Sequence, residues 1–444
     1  MKKILSRLFL INLILTNLFI SLNAQFPKDF LWGVGNAEHQ VSDVGPSNWT
    51  VFQSVNGTVR NNDKPGTVVD FWHRYKEDIA VMQKLGINSL RFSLDWATIE
   101  PQKGVINKEA LQHYHELLDV LKEAGITPMV TLHHFTHPLW FEQKGGWTKE
   151  ENIQDFVNFS TIVFNEFHEK VTLWATINEP AIVAFSGYVL GIHAPGYNGM
   201  LKCTMQPALN VLKHLMQAHV ATYKELKKLP GGQEAQIGIV HNFLVFTKLY
   251  TYDPIATGLT KFFTKITNDL TMQFLGTGKF NANFWALGKV DYVDESAPES
   301  FDWFGLNYYG NPVIGPNRKN VYGDTHHAHQ VMGDFSLPVD PQGFGQALEA
   351  VAKLGKPVYI TENGMADNKD DRRPTMIRQY LSVLKDKISS GLNILGYFHW
   401  TLVDNFEWHE GYTKKFGLCT PAREIKESGY VYKDLIKELS QMVR

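Results

Sequence analysis

The chain has 444 residues, of which 44 % are hydrophobic and 20 % charged, the profile of a folded globular protein and not of a disordered or fibrous one. Lys and Arg number 43 against 45 Asp and Glu, a net charge of −2, which excludes the basic footprint of a nucleic-acid-binding protein. Two cysteines, Cys203 and Cys419, are too few for a disulfide scaffold or a four-thiolate zinc site.

Residues 1–24 read as a secretory signal peptide and not as part of the fold. Lys2, Lys3 and Arg7 form a basic start, the apolar run Leu8–Leu22 follows, and Asn23-Ala24 ends the segment. Asn12, Thr16 and Asn17 interrupt the run, which is short for a membrane span, and no later stretch approaches ~18 continuous apolar residues. An uncleaved anchor stays open, because Leu22 is a poor residue ahead of a cleavage site. The expectation is a secreted or periplasmic mature chain starting near Gln25, one domain over 25–444, with no membrane in the mature form. Export permits a Cys203–Cys419 disulfide but does not place the two side chains together.

From there, compact apolar runs alternate with amphipathic ones. In chain order the sequence predicts strand Leu31–Val34, helix Phe71–Leu85, strand Ile87–Phe92, helix Lys108–Ala124, strand Thr127–Leu132 and helix Glu151–Glu169. Strand Val171–Ile177, helix Ala208–Leu229, strands Gln236–Val240 and Trp303–Asn307, helix Pro341–Lys353, strand Pro357–Thr361, helix Arg373–Ser390 and strand Ile394–Trp400 follow. Repeated strand–helix alternation implies parallel strands with helical crossovers. With eight strands and no GxGxxG turn, an α/β-class closed (β/α)8 TIM barrel is favoured over a nucleotide-binding open sheet. The stretch His241–Ser300 fits the alternation least well and is expected to hold insertions or a long loop.

Chemistry in such a barrel sits at the C-terminal ends of the strands. Two predicted strands end alike there, in Thr176-Ile177-Asn178-Glu179-Pro180 and in Ile360-Thr361-Glu362-Asn363-Gly364. Either Glu alone fits a solvated loop carboxylate. Both together on one face of a rigid barrel fit glycosidic bond cleavage, in which one carboxyl is acid/base and the other nucleophile or second base.

At these residues the sequence resembles glycoside hydrolase family 1, the β-glucosidase family of retaining (β/α)8 enzymes. Phe26-Pro27-Lys28-Asp29-Phe30-Leu31-Trp32-Gly33, His73-Arg74-Tyr75-Lys76-Glu77-Asp78, Arg91-Phe92-Ser93 and Asp404-Asn405-Phe406-Glu407-Trp408 with Phe416-Gly417-Leu418 are similar to further family landmarks, in family order. The resemblance implies Glu179 as acid/base and Glu362 as nucleophile, with Arg91 and Tyr309 orienting the latter. It implies Asn178 on the sugar 2-hydroxyl, Asn307 as a second amide nearby, and a sugar pocket of Gln40, His134, Trp400, Glu407 and Trp408. The implied activity is that of an exo-acting β-glucosidase on terminal non-reducing β-D-glucosyl residues, without cofactor or metal. Its implied partner is a small-molecule or oligosaccharide β-glycoside. Galactoside or fucoside preference, or a non-catalytic glycan-binding barrel, are the alternatives. Repulsion by Glu362 is expected to raise the pKa of Glu179.

Three positions depart from the family pattern: Gln40-Val41-Ser42 lacks the usual acid, Trp96-Ala97-Thr98 the usual Arg, and His134-Phe135-Thr136 the usual Trp-Asp. Each flanks the expected pocket and bears on substrate preference. The His133, His134 and His137 cluster raises a metal-enzyme reading, but it leaves a strand into a loop with no HExxH register. His326-His327-Ala328-His329 reads as an exposed loop feature. Sequons begin at Asn48, Asn56 and Asn158. A short rim over Met365–Arg373 would admit cellobiose-like oligosaccharides or plant glycosides alike, so the aglycone stays open.

Overall fold

A computed structural model describes residues 26–66, 68–315, 326–327 and 330–442. The predicted signal peptide, Gln25, and Ala328 and His329 of the histidine run lie outside the described residues. The eight apolar runs form β1 (Leu31–Gly35), β2 (Ser89–Ser93), β3 (Thr127–His133), β4 (Leu173–Asn178), β5 (Gln236–Asn242), β6 (Trp303–Tyr308), β7 (Val358–Asn363) and β8 (Ile394–Trp400). All pair in parallel, in the order β1-β8-β7-β6-β5-β4-β3-β2, and β2 pairs back to β1 to close the barrel. Crossover helices are α1 (Phe71–Leu85), α2 (Lys108–Glu123), α3 (Ile153–Phe167), α4 (Gln206–Leu226), α5 (Leu270–Thr277), α6 (Pro341–Ala352) and α7 (Arg373–Ser389), with α8 (Glu427–Ser440) following β8. This is the (β/α)8 TIM barrel that the alternation predicts.

Local chemistry sets the element ends. Asn107 caps α2 by accepting from the N–H groups of Glu109 and Ala110 at 3.0 and 3.2 Å, satisfying donors that the first helical turn leaves free. The apolar stripe Ala110, Leu111, Tyr114, Leu117, Leu118 and Leu121 of that helix is buried, at the i, i+3/i+4, i+7 spacing of one helical face. Each fully buried Leu contributes about 1.5–3 kcal/mol. α1 stops at Gly86, whose φ of +74° suits a residue without Cβ.

Inside the barrel a separate core of Met129, Leu173, Ala175, Val240, Trp303, Tyr359 and Phe398 fills the lumen, so the barrel is a packed support and not a pore. Two ring–glycine contacts make this fit. A Cβ at Gly33 would collide with the Phe398 ring, and one at Gly238 with the Trp303 indole.

The poorly fitting stretch carries more than α5. Between β5 and β6 a helix over Pro254–Thr264 precedes α5, and an antiparallel hairpin pairs Lys279–Asn283 with Lys289–Val293. No described helix is long and apolar enough to cross a membrane. Cys203 is exposed, Cys419 is buried, and both are free thiols. The sequon residue Asn48 is buried, its amide donating to Phe135 O at 3.0 Å, whereas Asn56 and Asn158 are exposed.

Candidate active site

β4 and β7 both run one or two residues beyond their predicted ends, so Asn178 ends one strand and Glu362-Asn363 the other. Each strand slips register just before its glutamate: β4 against β5 between Ala175 and Asn178, and β7 against β6 between Ile360 and Glu362. Such irregularities re-aim side chains at barrel rims. Glu179 follows β4 with φ +47° and ψ +62°, a left-handed conformation that costs a non-glycine residue of order 1–3 kcal/mol. Its N–H donates to Val240 O at 2.8 Å, and Pro180 starts the helix Pro180–Phe185. Both carboxyls reach one cavity of about 230 Å³. That is somewhat below the usual span of small-molecule sites, roughly 300 to 1,000 Å³.

Of the residues expected at the site, His134, Asn178, Glu179, Tyr309, Glu362, Trp400, Glu407 and Trp408 line this cavity. Gln40, Arg91 and Asn307 stand one layer behind, each in contact with a lining carboxyl. Arg91 is fully buried on β2. Its Nη1 donates to Glu362 Oε1 at 2.5 Å and its Nη2 to Asn178 Oδ1 at 2.6 Å. The Tyr309 hydroxyl donates to Glu362 Oε2 at 2.5 Å, so both oxygens of Glu362 are held, one by a cation. Among the described residues Glu179 has a single neutral donor, the Asn307 amide, 2.6 Å from Oε1. Thr361 Oγ1 donates to Asn307 Oδ1 at 2.7 Å and fixes that amide's orientation.

Burial, followed by the negative charge of Glu362, pushes Glu179 up to about 8, against the opposing pull of Asn307 and Arg91. Repulsion is therefore the second cause and not the first, because a barrel mouth this enclosed penalises any charge before a neighbour acts. Glu407 is likewise pushed up to about 8, by burial and then by Glu362, while hydrogen bonds from Gln40 and Trp400 pull it down. Burial drives His134 well below the usual imidazole range, and the Arg91 cation adds to this.

Beside Asn178 stands an aromatic and amide cluster. His134 lies against Trp400 and Trp408, with ring centroids at 5.9 and 6.0 Å and interplanar angles of 30° and 23°. The Asn178 amide meets His134 Nε2 at 3.0 Å. Gln40 Nε2 donates to Phe406 O at 2.7 Å and to Glu407 Oε2 at 3.3 Å. Gln40 Oε1 and His134 Nδ1 are buried without partners among the described residues. Buried polar atoms are rarely left so, and a hydrogen-bonding ligand or water would satisfy them.

The other two histidines of the His133–His137 cluster turn away from the cavity. Trp147 Nε1 donates to His133 Nε2 at 3.2 Å, and His137 Nε2 meets Glu142 at 2.8 Å. Sequence reasoning missed the outer wall, made by Ile182, Ile192, Leu244, Phe335 and Leu337 with His193 and His409. Ile182 lies in the short helix Pro180–Phe185 and the others in loops and short turns, with no periodicity or motif to announce them.

The family model described as "Glycosyl hydrolase family 1" matches residues 22–440. A "1,4-beta-D-glucan glucohydrolase" of Thermotoga neapolitana is 30 % identical, covering 93 % of this chain and 98 % of its own. "Beta-glucosidase A" of Thermotoga maritima is 31 % identical over the same shares of the two chains. Among solved structures, the T. maritima β-glucosidase in complex with glucoimidazole superposes with a TM-score of 0.82 at 30 % identity, over 94 % of this chain and 99 % of that one. The same enzyme in complex with galacto-hydroximolactam also gives 0.82.

Proposed function

The chain belongs to glycosyl hydrolase family 1 and is a glycoside hydrolase acting on O-glycosyl bonds, and from that premise we propose that it is a retaining, exo-acting β-glucosidase with Glu362 as nucleophile and Glu179 as acid/base. The observation that carries this reading is the unequal support of the two carboxyls. Glu362 accepts from a guanidinium and a phenol, whereas Glu179 has one amide and a pKa pushed up to about 8. One acid is held for attack and the other is kept protonated near neutral pH, the division of labour that cleavage with retention needs.

In the first step the Glu362 carboxylate attacks the anomeric carbon while Glu179 gives its proton to the departing aglycone oxygen. This leaves a glycosyl ester on Glu362 and a carboxylate on Glu179. The ester is uncharged, so the repulsion on Glu179 falls away and Glu179 takes a proton from water as that water attacks the anomeric carbon. Both glutamates return to their starting states. Asn178, held by Arg91 and His134, faces the 2-hydroxyl, whose hydrogen bond strengthens in the transition state. Trp400 and Trp408 offer apolar faces to the C–H side of the ring, and Gln40, His134 and Glu407 read its hydroxyls.

A non-phosphorylated sugar is the better fit. Three carboxyls, Glu179, Glu362 and Glu407, line the cavity, and a phosphate of about −2 charge would need a cation to balance it there. Lys414, two residues before the lining residue Phe416, donates to Asp334 O at 2.6 Å and stands 3.8 Å from Glu410. Phe416 lines the cavity in its neighbourhood. The galacto-configured ligand of the T. maritima relative supports some tolerance at the 4-position. The test compares kcat/KM for aryl β-glucoside, β-galactoside, β-fucoside and 6-phospho-β-glucoside sharing one leaving group. The glucoside or fucoside should lead and the phosphorylated sugar trail by about tenfold or more, a difference of ~1.4 kcal/mol. A leading 6-phosphoglucoside would remove this reading.

A further inference from the structure

We infer that the outer half of the cavity selects an apolar aglycone, an alkyl or aryl group and not a second sugar. The inference rests on the glycosidase reading above. Beyond the tryptophans and glutamates, Ile182 and Ile192 follow β4, Leu244 follows β5, and Phe335 and Leu337 follow β6, and all five line the cavity. All five are only half-buried. Three separate loops thus bring apolar side chains to one concave wall and leave them facing water, surface that an apolar occupant would cover with a gain.

The wall is held in place from behind. The buried Asn268 amide clamps Leu244 at both backbone groups, accepting from its N–H at 3.1 Å and donating to its C=O at 2.7 Å. The segment bearing Phe335 and Leu337 is tied down by Arg372, which donates to Met332 O at 2.7 Å and Asp334 Oδ1 at 2.8 Å, and by Lys414 on Asp334 O. Four polar lining groups, Ser186, His193, His409 and Asn242, accompany the apolar wall. Ser186 and His193 adjoin Ile192, the N–H groups of Ile192 and His193 both donating to Ser186 O at 3.0 and 3.3 Å, and His193 sits 6.2 Å from Trp408 and 5.6 Å from His409, centroid to centroid. Asn242 is the one amide near the apolar wall, its Oδ1 without a partner among the described residues. A second glucose would bring a ring of hydroxyls against the five apolar side chains and lose their water there without replacement.

The experiment measures kcat/KM for butyl, hexyl and octyl β-glucosides, for phenyl and 2-naphthyl β-glucosides, and for cellobiose. β-Glucosyl fluoride, whose leaving group is too small to touch the wall, serves as the control. Alkanols are poorer leaving groups than a sugar hydroxyl, so chemistry alone favours cellobiose. The inference expects a rise of roughly two- to fourfold per methylene through the alkyl series and octyl glucoside ahead of cellobiose. A rise confined to the aryl pair would assign the wall to planar aglycones, within the same class. Cellobiose ahead of both series, or flat series, overturns the inference while leaving the glycosidase reading intact. Failure to cleave the fluoride overturns both. Leu244→Asn and Leu337→Asn should each lower the octyl-to-cellobiose ratio by about tenfold. Fluoride hydrolysis reports that each variant is folded, and an unchanged ratio in both counts against the inference.

Discussion

At the residue scale the site works through an asymmetry of donors. Two strong ones, Arg91 and Tyr309, meet both oxygens of Glu362, and one neutral amide meets Glu179. Fixed donors aimed at charge in a water-poor site are worth far more than the same bonds in water. The raised Glu179 pKa gives the sign of the pH profile. The acid must be protonated to act, so kcat/KM should fall as pH rises through about 8. Glu407 is also raised to about 8, so the alkaline limb reports a value shared by the two acids. Glu179→Ala should retain the first step for dinitrophenyl glucosides, lose ~10²–10⁴-fold on alkyl glucosides, and recover turnover with azide as a β-glycosyl azide. Equal losses on good and poor leaving groups, without rescue, would assign the proton to another residue. A protonated Glu407 would repel phosphate less, and the diversion of Lys414 to Asp334 and Glu410 then carries more of the discrimination.

At the scale of elements, the strands place the acids and the loops after them are tied together. Arg373, fully buried at the start of α7, donates to the carbonyls of Met365, Asp367, Lys415 and Gly417 and pairs with Asp370. It thus joins the rim after the Glu362 strand to the segment that follows Trp408. Arg373→Met would strip donors from four carbonyls and leave Asp370 without its cation. Losing one partner of a buried pair costs about 3–5 kcal/mol, so denaturant unfolding should show a loss of this order and the rim should become susceptible to proteolysis. Native stability in the variant would mean the clamp is dispensable. The sequence made most elements legible, because a strand of the barrel is a short unbroken apolar run and a crossover helix carries an apolar stripe. The fifth crossover helix and the helix after β8 are not legible there: α5 is eight residues with few polar breaks, and no motif marks the segment Glu427–Ser440. The Asn-Glu pairs were legible because strand and turn formers flank them. The register slips that aim them were not, since a slip depends on neighbouring strands far away in the chain.

At the scale of the whole molecule, the barrel separates a rigid floor from a variable wall. The lumen is filled by large side chains such as Trp303 and Phe398, which fixes the strand ends and with them Arg91, Asn178, Asn307 and Glu362. The outer part of the mouth is assembled from segments after β4, β5 and β6. Reaction type is thus written in strand-end residues that sequence alone exposes, and aglycone choice in loop side chains that meet only once the barrel closes. The central claim is that Glu362 becomes covalently glycosylated with inversion, to be inverted again by water. The most direct measurement incubates the protein with 2,4-dinitrophenyl 2-deoxy-2-fluoro-β-glucoside, digests it, and locates the label by mass spectrometry. One fluoroglucosyl group should sit on Glu362 of the peptide spanning Tyr359–Gly364, with loss of activity in proportion to labelling. A label on any other residue, or inactivation without a covalent adduct, would contradict the account.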